Sequence, residues 1–165
     1  MEIRKATMED LDEMMTLFAE ARQFMREHGN PDQWGTNHPP KEQIISDIER
    51  GCSYLCTDEG RAVGTFYFAA EVEHDYDVIY DGAWLNDEPY CVMHRVASPG
   101  RKKGAATFCV NWCLERCGGN LRIDTHHNNI PMQHMLEKNG FTRCGIIHLQ
   151  DGGERIAYHQ CVGKH

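Results

Sequence analysis

Residues 90–115 read YCVMHRVASPGRKKGAATFCVNWCLE, and this stretch determines the predicted fold of the chain. It begins with an apolar run that reaches Val96 and predicts a buried strand. The run ends at residues 98–100, and the basic turn RKKG then leads into an amphipathic stretch that predicts a helix. In that stretch the apolar side chains recur at helical spacing: Ala105, Phe108, Cys109, Trp112 and Cys113.

The order strand, basic glycine-containing turn, helix is typical of a phosphate-binding site. Backbone N–H groups at the start of a helix have no partner within the helix, and the helix dipole places partial positive charge there. Small residues at the same point let an anion approach the backbone closely. The alternative is an ordinary surface turn whose lysines serve solubility.

A second segment, residues 121–141, reads LRIDTHHNNIPMQHMLEKNGF and predicts another strand followed by a helix. Asn129 starts this helix, and Phe141 follows twelve residues later at the end of an Glu-Lys-Asn-Gly-Phe run. The pattern Arg-x-x-Gly-x-Ala at Arg101–Ala106, followed by this Asn and Phe at the expected spacing, resembles the GNAT family of N-acetyltransferases.

The resemblance extends over the whole chain and implies the GNAT acyl-CoA N-acyltransferase fold. We therefore expect residues 1–165 to form a single α/β domain (α+β in some schemes), with a mixed central sheet of about seven strands and roughly four helices. Pattern and turn signals predict the order β-α-α-β-β-β-α-β-α-β-β. In the family the strand that ends at Val96 and the strand before Asn129 splay apart, and the pantetheine arm of the cofactor lies in the gap.

The composition is that of a globular domain with an acidic surface. The chain has 17 basic and 25 acidic residues and a formal net charge of −8, which argues against a nucleic-acid-binding protein. It contains no apolar run of eighteen residues, and the amino terminus MEIRKATMEDLDEMM has no apolar signal core. We therefore expect a cytoplasmic protein with no membrane partner, either a monomer or a homodimer.

Eight cysteines are expected to be free thiols, because the chain has no secretion signal. Three of them recur at i, i+4 and i+8 on the predicted third helix, where small apolar packing is favoured over a metal or redox site. Asp124, His126 and His127 lie together in sequence, but neighbours on a strand point to opposite faces. No metal site is predicted.

The resemblance also implies which residues bind the cosubstrate, acetyl-CoA. Backbone amides of the turn would hold its pyrophosphate, and the backbone N–H near Val96 would polarise the thioester carbonyl. Asn129 is expected to cap its helix and to hydrogen-bond the pantetheine or a group beside it. The cofactor-binding residues are therefore predicted to be Val96, Arg101, Lys102, Lys103, Gly104, Ala105, Ala106 and Asn129.

His94 is the candidate catalytic base, because it lies two residues before Val96 and imidazoles titrate near neutral pH. Strand alternation places Val92, His94 and Val96 on one face, and Cys91, Met93 and Arg95 on the other. The alternative is a hydrogen-bonded core histidine. The chain departs from the family at Leu136, seven residues after the Asn, where a tyrosine commonly serves as the general acid; Tyr158 and Cys144 are unsupported substitutes.

Three aromatic residues are candidates for the walls of the acceptor pocket: Trp34, Tyr76 and Trp84. Trp34 lies in the irregular stretch PDQWGTNHPP after the first helix, and the other two lie in an acidic, aromatic insertion, EVEHDYDVIYDGAWLNDEP. Carboxylates and aromatic faces together suit a cationic amine. The alternatives are that Trp34 fills the core and that the aromatic residues of the insertion pack onto the sheet.

These observations predict an acetyl-CoA-dependent N-acetyltransferase. It would transfer the acetyl group to a primary amine of a small molecule or peptide by direct attack in a ternary complex. The alternative, supported by Leu136, is a catalytically weak acyl-CoA-binding sensor or regulatory module.

Overall fold

A computed structural model of the protein describes residues 1–162. Its four helices are α1 (Leu11–Glu27), α2 (Lys41–Glu49), α3 (Ala105–Arg116) and α4 (Ile130–Lys138). Its seven strands are β1 (Glu2–Lys5), β2 (Ser53–Asp58), β3 (Arg61–Ala70), β4 (Cys91–Ala97), β5 (Asn120–Thr125), β6 (Thr142–His148) and β7 (Glu154–Cys161). Every helix and strand in the predicted order is confirmed.

The seven strands form one mixed sheet in the order β1-β2-β3-β4-β5-β7-β6. The β1–β2, β2–β3, β5–β7 and β6–β7 ladders are antiparallel, whereas β4 and β5 are parallel. The parallel ladder contains only Cys91↔Leu121 and Val92↔Arg122. Pairing therefore stops early in β4, as the predicted splay of the two central strands requires.

The described residues fall into two compact units. The amino-terminal unit contains residues 1–68 and 94–110, and the carboxy-terminal unit contains residues 69–93 and 111–162. The core of the amino-terminal unit is formed by the apolar face of α1 together with residues from α2, β2 and β4. Its central buried side chains are Met14, Leu17, Phe18, Ile44 and Leu55. Met14 and Met25 of α1 lie in this core and Met15 packs against it, so these methionines serve as packing residues.

In the carboxy-terminal unit the fully buried apolar side chains include Leu121, Ile123, Leu136 and Ile147. The connection between β3 and β4 forms a short 3-10 turn at His74–Tyr76 and then runs along the outer edge of β6. Tyr80 and Ile146 exchange both backbone hydrogen bonds, each 2.8 Å long. This pairing covers an edge that would otherwise present unpaired backbone groups.

Candidate functional site

The turn between β4 and α3 has the geometry expected for an anion-binding backbone. Gly100 and Gly104 have φ values of 86° and 84°, a region that favours glycine. A Cβ atom added at Gly104 would meet no heavy atom within 4 Å, so the space beside this residue is open. Residues 101–104 are exposed, and α3 begins immediately after them with the buried Ala105. The Ala105 N–H donates to the Lys102 carbonyl at 3.3 Å, so the amides that follow it in the first turn of α3 are the candidates for binding a ligand.

The basic side chains of the turn differ in what they contact. Arg101 reaches α1, where its Nε and Nη2 donate to Glu20 over 2.9 and 2.6 Å and its Nη1 donates to Glu13. Hydrogen bonding to Arg101 lowers the pKa of the Glu20 carboxyl. Lys102 pairs with Asp58 at 3.3 Å. Lys103 has no carboxylate partner among residues 1–162. Arg101 thus anchors the turn, and Lys103 is the basic side chain available to an incoming anion.

The end of β4 departs from regular strand geometry at Arg95, whose φ is 49°. His94 lies 5.8 Å from the Tyr67 ring, centroid to centroid, and the Arg95 guanidinium lies 4.6 Å from the same ring. The prediction that His94 and Arg95 point to opposite faces is therefore wrong. A left-handed residue breaks the two-residue period on which that prediction depended.

A buried ion pair joins β4 to α2. The Arg95 Nε donates to Asp47 Oδ2 at 2.8 Å, and its Nη2 donates to Oδ1 at 3.0 Å. Asp47 is 1% exposed and also accepts a 3.0 Å hydrogen bond from Gln43. The sequence did contain a signal for this contact: Asp47 follows Ile44 by three residues, so it lies on the inward face of α2 where a carboxylate requires a partner.

Asn129 is the N-cap of α4, and its side-chain oxygen accepts a 3.2 Å hydrogen bond from the Met132 N–H. The predicted cap is confirmed. Pro131 occupies the first turn, where its missing N–H costs nothing. The predicted contact of Asn129 with pantetheine stays a prediction.

The three predicted acceptor-wall residues occupy different environments. Trp34 is a buried member of the core of the amino-terminal unit, where it packs edge-on against Phe18 at 5.7 Å. Tyr76 is fully buried in the carboxy-terminal unit. Trp84 is partly buried there and lies 5.0 Å from Tyr76, whose carbonyl accepts its indole N–H. The structure thus brings Tyr76 and Trp84 together, and the role of all three as pocket walls stays a prediction.

Comparison with known proteins places this geometry in a family. The model of the acetyltransferase (GNAT) family matches residues 11–141. The chain belongs to the GNAT acetyltransferase family.

Solved structures agree with that assignment. A GNAT family acetyltransferase from Streptococcus agalactiae is 32% identical over 99% of this chain and 96% of its own, with a TM-score of 0.90. A structure from Staphylococcus aureus is 25% identical over 96% of this chain and 97% of its own, with a TM-score of 0.70. One from Salmonella typhimurium, solved with its cofactor acetyl-CoA, shares the fold at 14% identity, covering 99% and 95%, with a TM-score of 0.66. Curated protein sequences gave no match.

In this GNAT chain Leu136 stands where the resemblance led us to expect a tyrosine, and its environment is apolar. Leu136 is 0% exposed in the core of the carboxy-terminal unit, so no polar group stands at this position. The Tyr158 hydroxyl donates to Glu137 at 2.8 Å, and burial raises the pKa of this phenol. Burial also raises the pKa of the Cys144 thiol. Neither substitute is therefore an acid of suitable strength near neutral pH.

Arg122, an arginine buried on β5, is not among the site residues predicted from the sequence of this GNAT chain. Its guanidinium lies 4.0 Å from the Tyr90 ring centroid and 4.3 Å from that of Trp84, and it donates to the Asn86 carbonyl at 2.7 Å. Burial lowers its pKa. Trp84 of the insertion thus already contacts a cation of the chain itself.

Within residues 1–162 of this GNAT protein, no group of three or more His, Cys, Asp or Glu side chains is placed to hold a metal ion. The eight cysteines are free thiols, as expected. None of the helices described for the chain has the length and apolar character needed to cross a membrane.

Proposed function

We propose that this protein transfers the acetyl group of acetyl-CoA to a primary amine by direct attack in a ternary complex. The observation that supports this proposal most directly is the β4–turn–α3 unit, where Gly104 leaves open space beside exposed helix-start amides in a chain of the GNAT family. The proposed acceptor is a small molecule or peptide with a free amine.

The fit of the cosubstrate to these residues rests on charge and access. A pyrophosphate needs several N–H donors and positive charge without a competing carboxylate. The Ala105 N–H already donates to the Lys102 carbonyl at 3.3 Å, so we propose that the other amides of residues 101–106 and the side chain of Lys103 meet this requirement. Arg101 is held by Glu13 and Glu20. When bound, acetyl-CoA supplies an activated thioester and a thiol leaving group.

Within β4, two groups are proposed to act on the reacting atoms. The Val96 N–H donates a hydrogen bond to the thioester oxygen and stabilises the negative charge that develops there when the amine attacks. His94, two residues earlier, removes a proton from the acceptor ammonium directly or through one water. Its neighbour Tyr67 is buried and limits the movement of the imidazole on one side.

The departing sulfur needs a proton, and no side chain is assigned to deliver it. Leu136 has no proton to give, and the Tyr158 hydroxyl is already bonded to Glu137. We propose that water protonates the sulfur, since a thiolate is a tolerable leaving group at neutral pH. This assignment predicts that Tyr158→Phe has little effect on turnover.

Leu136 is also the observation that favours the second candidate function, an acyl-CoA-binding sensor or regulatory module. One experiment separates the two. Purified protein is mixed with acetyl-CoA and a panel of amino acids, polyamines, aminoglycosides and peptides, and free thiol is measured over time. Turnover on any amine supports the enzyme, while tight acetyl-CoA binding measured by calorimetry without turnover on the whole panel supports the sensor.

The panel needs a control for thiol released by spontaneous thioester hydrolysis. The Gly104→Val variant serves this purpose, because a side chain there would fill the proposed approach to the backbone. Thiol release that persists unchanged in this variant would not come from the proposed site.

A further inference from the structure

Arg95 combines a backbone conformation that is unusual for its residue type with a side chain that is held in place. Its φ of 49° lies in the left-handed region, which arginine seldom occupies outside turns. Arg95 nevertheless lies inside β4, within Cys91–Ala97. Conformations of this kind persist only when the surrounding contacts impose them.

The side chain of Arg95 makes the contacts that can impose it. Both of its hydrogen bonds to Asp47, of 2.8 and 3.0 Å, use the parallel, two-point geometry that fixes the direction of a guanidinium. Asp47 is fixed in turn by its place on α2, by burial and by Gln43. Through this ion pair, α2 holds the Arg95 side chain in place and so restrains the position of the Arg95 Cα.

Tyr67 of β3 completes the support. It is buried, the Arg95 guanidinium lies 4.6 Å from its ring centroid, and the Arg50 guanidinium lies 5.3 Å from it. Arg50 also donates a hydrogen bond to the Tyr67 hydroxyl. Because Arg50 and Asp47 are one helical turn apart at the end of α2, the same helix holds both sides of the cluster.

These contacts affect the next residue of β4, Val96. The peptide plane that carries the Val96 N–H is attached to the Arg95 Cα, so the backbone angles of Arg95 determine where that N–H points. In a regular strand the Val96 N–H would point towards the adjacent strand and join the hydrogen-bond ladder. A left-handed residue before it turns this N–H in another direction.

We propose that Asp47 and Arg95 are positioning residues: their ion pair holds the left-handed turn in β4 and so aims the Val96 N–H at the thioester oxygen. This inference rests on the proposed function, since Val96 is its donor. It goes beyond that function by assigning the direction of the donor to a buried ion pair from α2. Neither side chain needs to touch the substrate.

The test compares the binding of acetyl-CoA with that of CoA, because CoA lacks the acetyl carbonyl. Affinities are measured by calorimetry, and the carbonyl stretch of bound acetyl-CoA labelled with ¹³C at the carbonyl is measured by infrared spectroscopy. The first variant is Asp47→Asn, which keeps the shape of the side chain and removes the carboxylate charge that holds Arg95. Arg95→Lys, which cannot form the two-point contact, is the second variant if the first does not fold.

A matched control exists in the same unit. Arg4 donates two hydrogen bonds of 2.8 Å to Asp10, so it forms an ion pair of the same two-point geometry at a site with no proposed role. Arg4→Lys therefore removes a two-point contact of the same kind, at an exposed site, without touching β4. Circular dichroism verifies the fold of every variant.

We expect Asp47→Asn to reduce the ratio of acetyl-CoA to CoA affinity about fivefold, the size of one hydrogen bond. The carbonyl stretch should move towards its value in free acetyl-CoA, while CoA affinity and the Arg4→Lys protein stay at wild-type values. A folded variant with an unchanged ratio and stretch, or with equal loss of both ligands, overturns the inference while leaving the proposed function intact. Wild-type protein that binds neither ligand overturns the proposed function itself.

Discussion

The hydroxyl of Tyr76 donates a 2.6 Å hydrogen bond to the Asp124 carboxylate, joining residues 48 positions apart. Tyr76 is 1% exposed, and burial together with the negative charge of Asp124 raises the pKa of its phenol. The phenol therefore stays protonated and remains a donor throughout the range in which the protein is used. This bond fixes the 3-10 turn of the β3–β4 connection onto β5.

Removing that hydroxyl should destabilise the protein measurably. Tyr76→Phe keeps the ring but deletes a hydrogen bond to a charged group, and we expect a loss of about 1.5 to 3 kcal/mol in the free energy of unfolding. Urea denaturation at pH 7 measures it. Tyr80→Phe is the control, because Tyr80 is exposed and belongs to the same connection. Equal stability of Tyr76→Phe and wild type would show that the bond adds nothing in solution.

The β3–β4 connection contains contacts that the sequence could not predict. Helices, strands, the glycine turn and the Asn129 cap each follow from patterns within about ten residues, and all were predicted. The partners of Tyr76 and Arg122 are distant in sequence, so the contacts of Arg122 with the Trp84 and Tyr90 rings could not be predicted from composition. Strand alternation failed at Arg95 for a related reason: its left-handed backbone depends on Asp47, a residue of another element.

The proposed pyrophosphate site makes a prediction about Gly104. Gly104→Val should weaken CoA binding by about tenfold or more in calorimetry, because the side chain would occupy the open space beside the amides. Gly29→Val is the control for backbone strain. If Gly29→Val binds CoA normally, strain does not explain the loss of affinity in Gly104→Val. Gly29 has a φ of 78° and the same open surroundings, so it matches the strain but not the location. Undiminished affinity in Gly104→Val would reject the placement of the pyrophosphate.

Asn129 should have two separable roles. Asn129→Ala deletes the N-cap of α4 and should cost about 1 kcal/mol of stability. If the side chain also contacts pantetheine, the Michaelis constant for acetyl-CoA should rise. Asn129→Ser isolates the second effect, since serine caps a helix nearly as well but reaches less far. A change confined to the melting temperature would reduce Asn129 to a cap.

His159 should make the protein sensitive to mild acid. Burial, followed by the charge of Arg122, lowers the pKa of this imidazole to about 4. Its Nδ1 accepts a 3.1 Å hydrogen bond from the Leu85 N–H, which requires the neutral ring. The unfolded chain binds a proton near pH 6.5, but the folded protein does so only near pH 4. The free energy of unfolding should therefore fall as pH falls across that window, by about 3 kcal/mol from this residue.

Urea denaturation at pH 7, 6, 5 and 4.5 measures this loss. His159→Gln removes the titrating group and should flatten the dependence, although it lowers stability at pH 7. His148→Gln, at an exposed histidine, should keep the wild-type slope. Asp10 does not titrate in this pH range, because Arg4 lowers the pKa of its carboxyl to about 2. The stability that Asp10 contributes is therefore lost only at still lower pH. A His159→Gln slope equal to that of wild type would assign the acid sensitivity to another group.

The sharpest prediction concerns His94 as the base. It lies two residues before Val96 with its ring beside Tyr67, and a base in this role contributes roughly 10² to 10⁴ in rate. On an amine found in the panel, His94→Ala should lower kcat by that factor while the affinity for acetyl-CoA stays at the wild-type value. The acidic limb that such a base gives to the rate profile should disappear.

A purely structural histidine would behave differently, and the difference can be measured. Loss of packing against Tyr67 would lower the melting temperature, reduce kcat in proportion to the folded fraction and leave the shape of the pH profile unchanged. His28→Ala, at an exposed histidine of the same unit, gives the background effect of removing an imidazole. Added imidazole provides the deciding readout, because a small base can replace a missing proton acceptor but cannot restore packing. If imidazole restores turnover in His94→Ala but not in Asp47→Asn, which is proposed to misdirect the Val96 N–H, proton removal is assigned to His94. If His94→Ala retains the acidic limb, the base lies elsewhere.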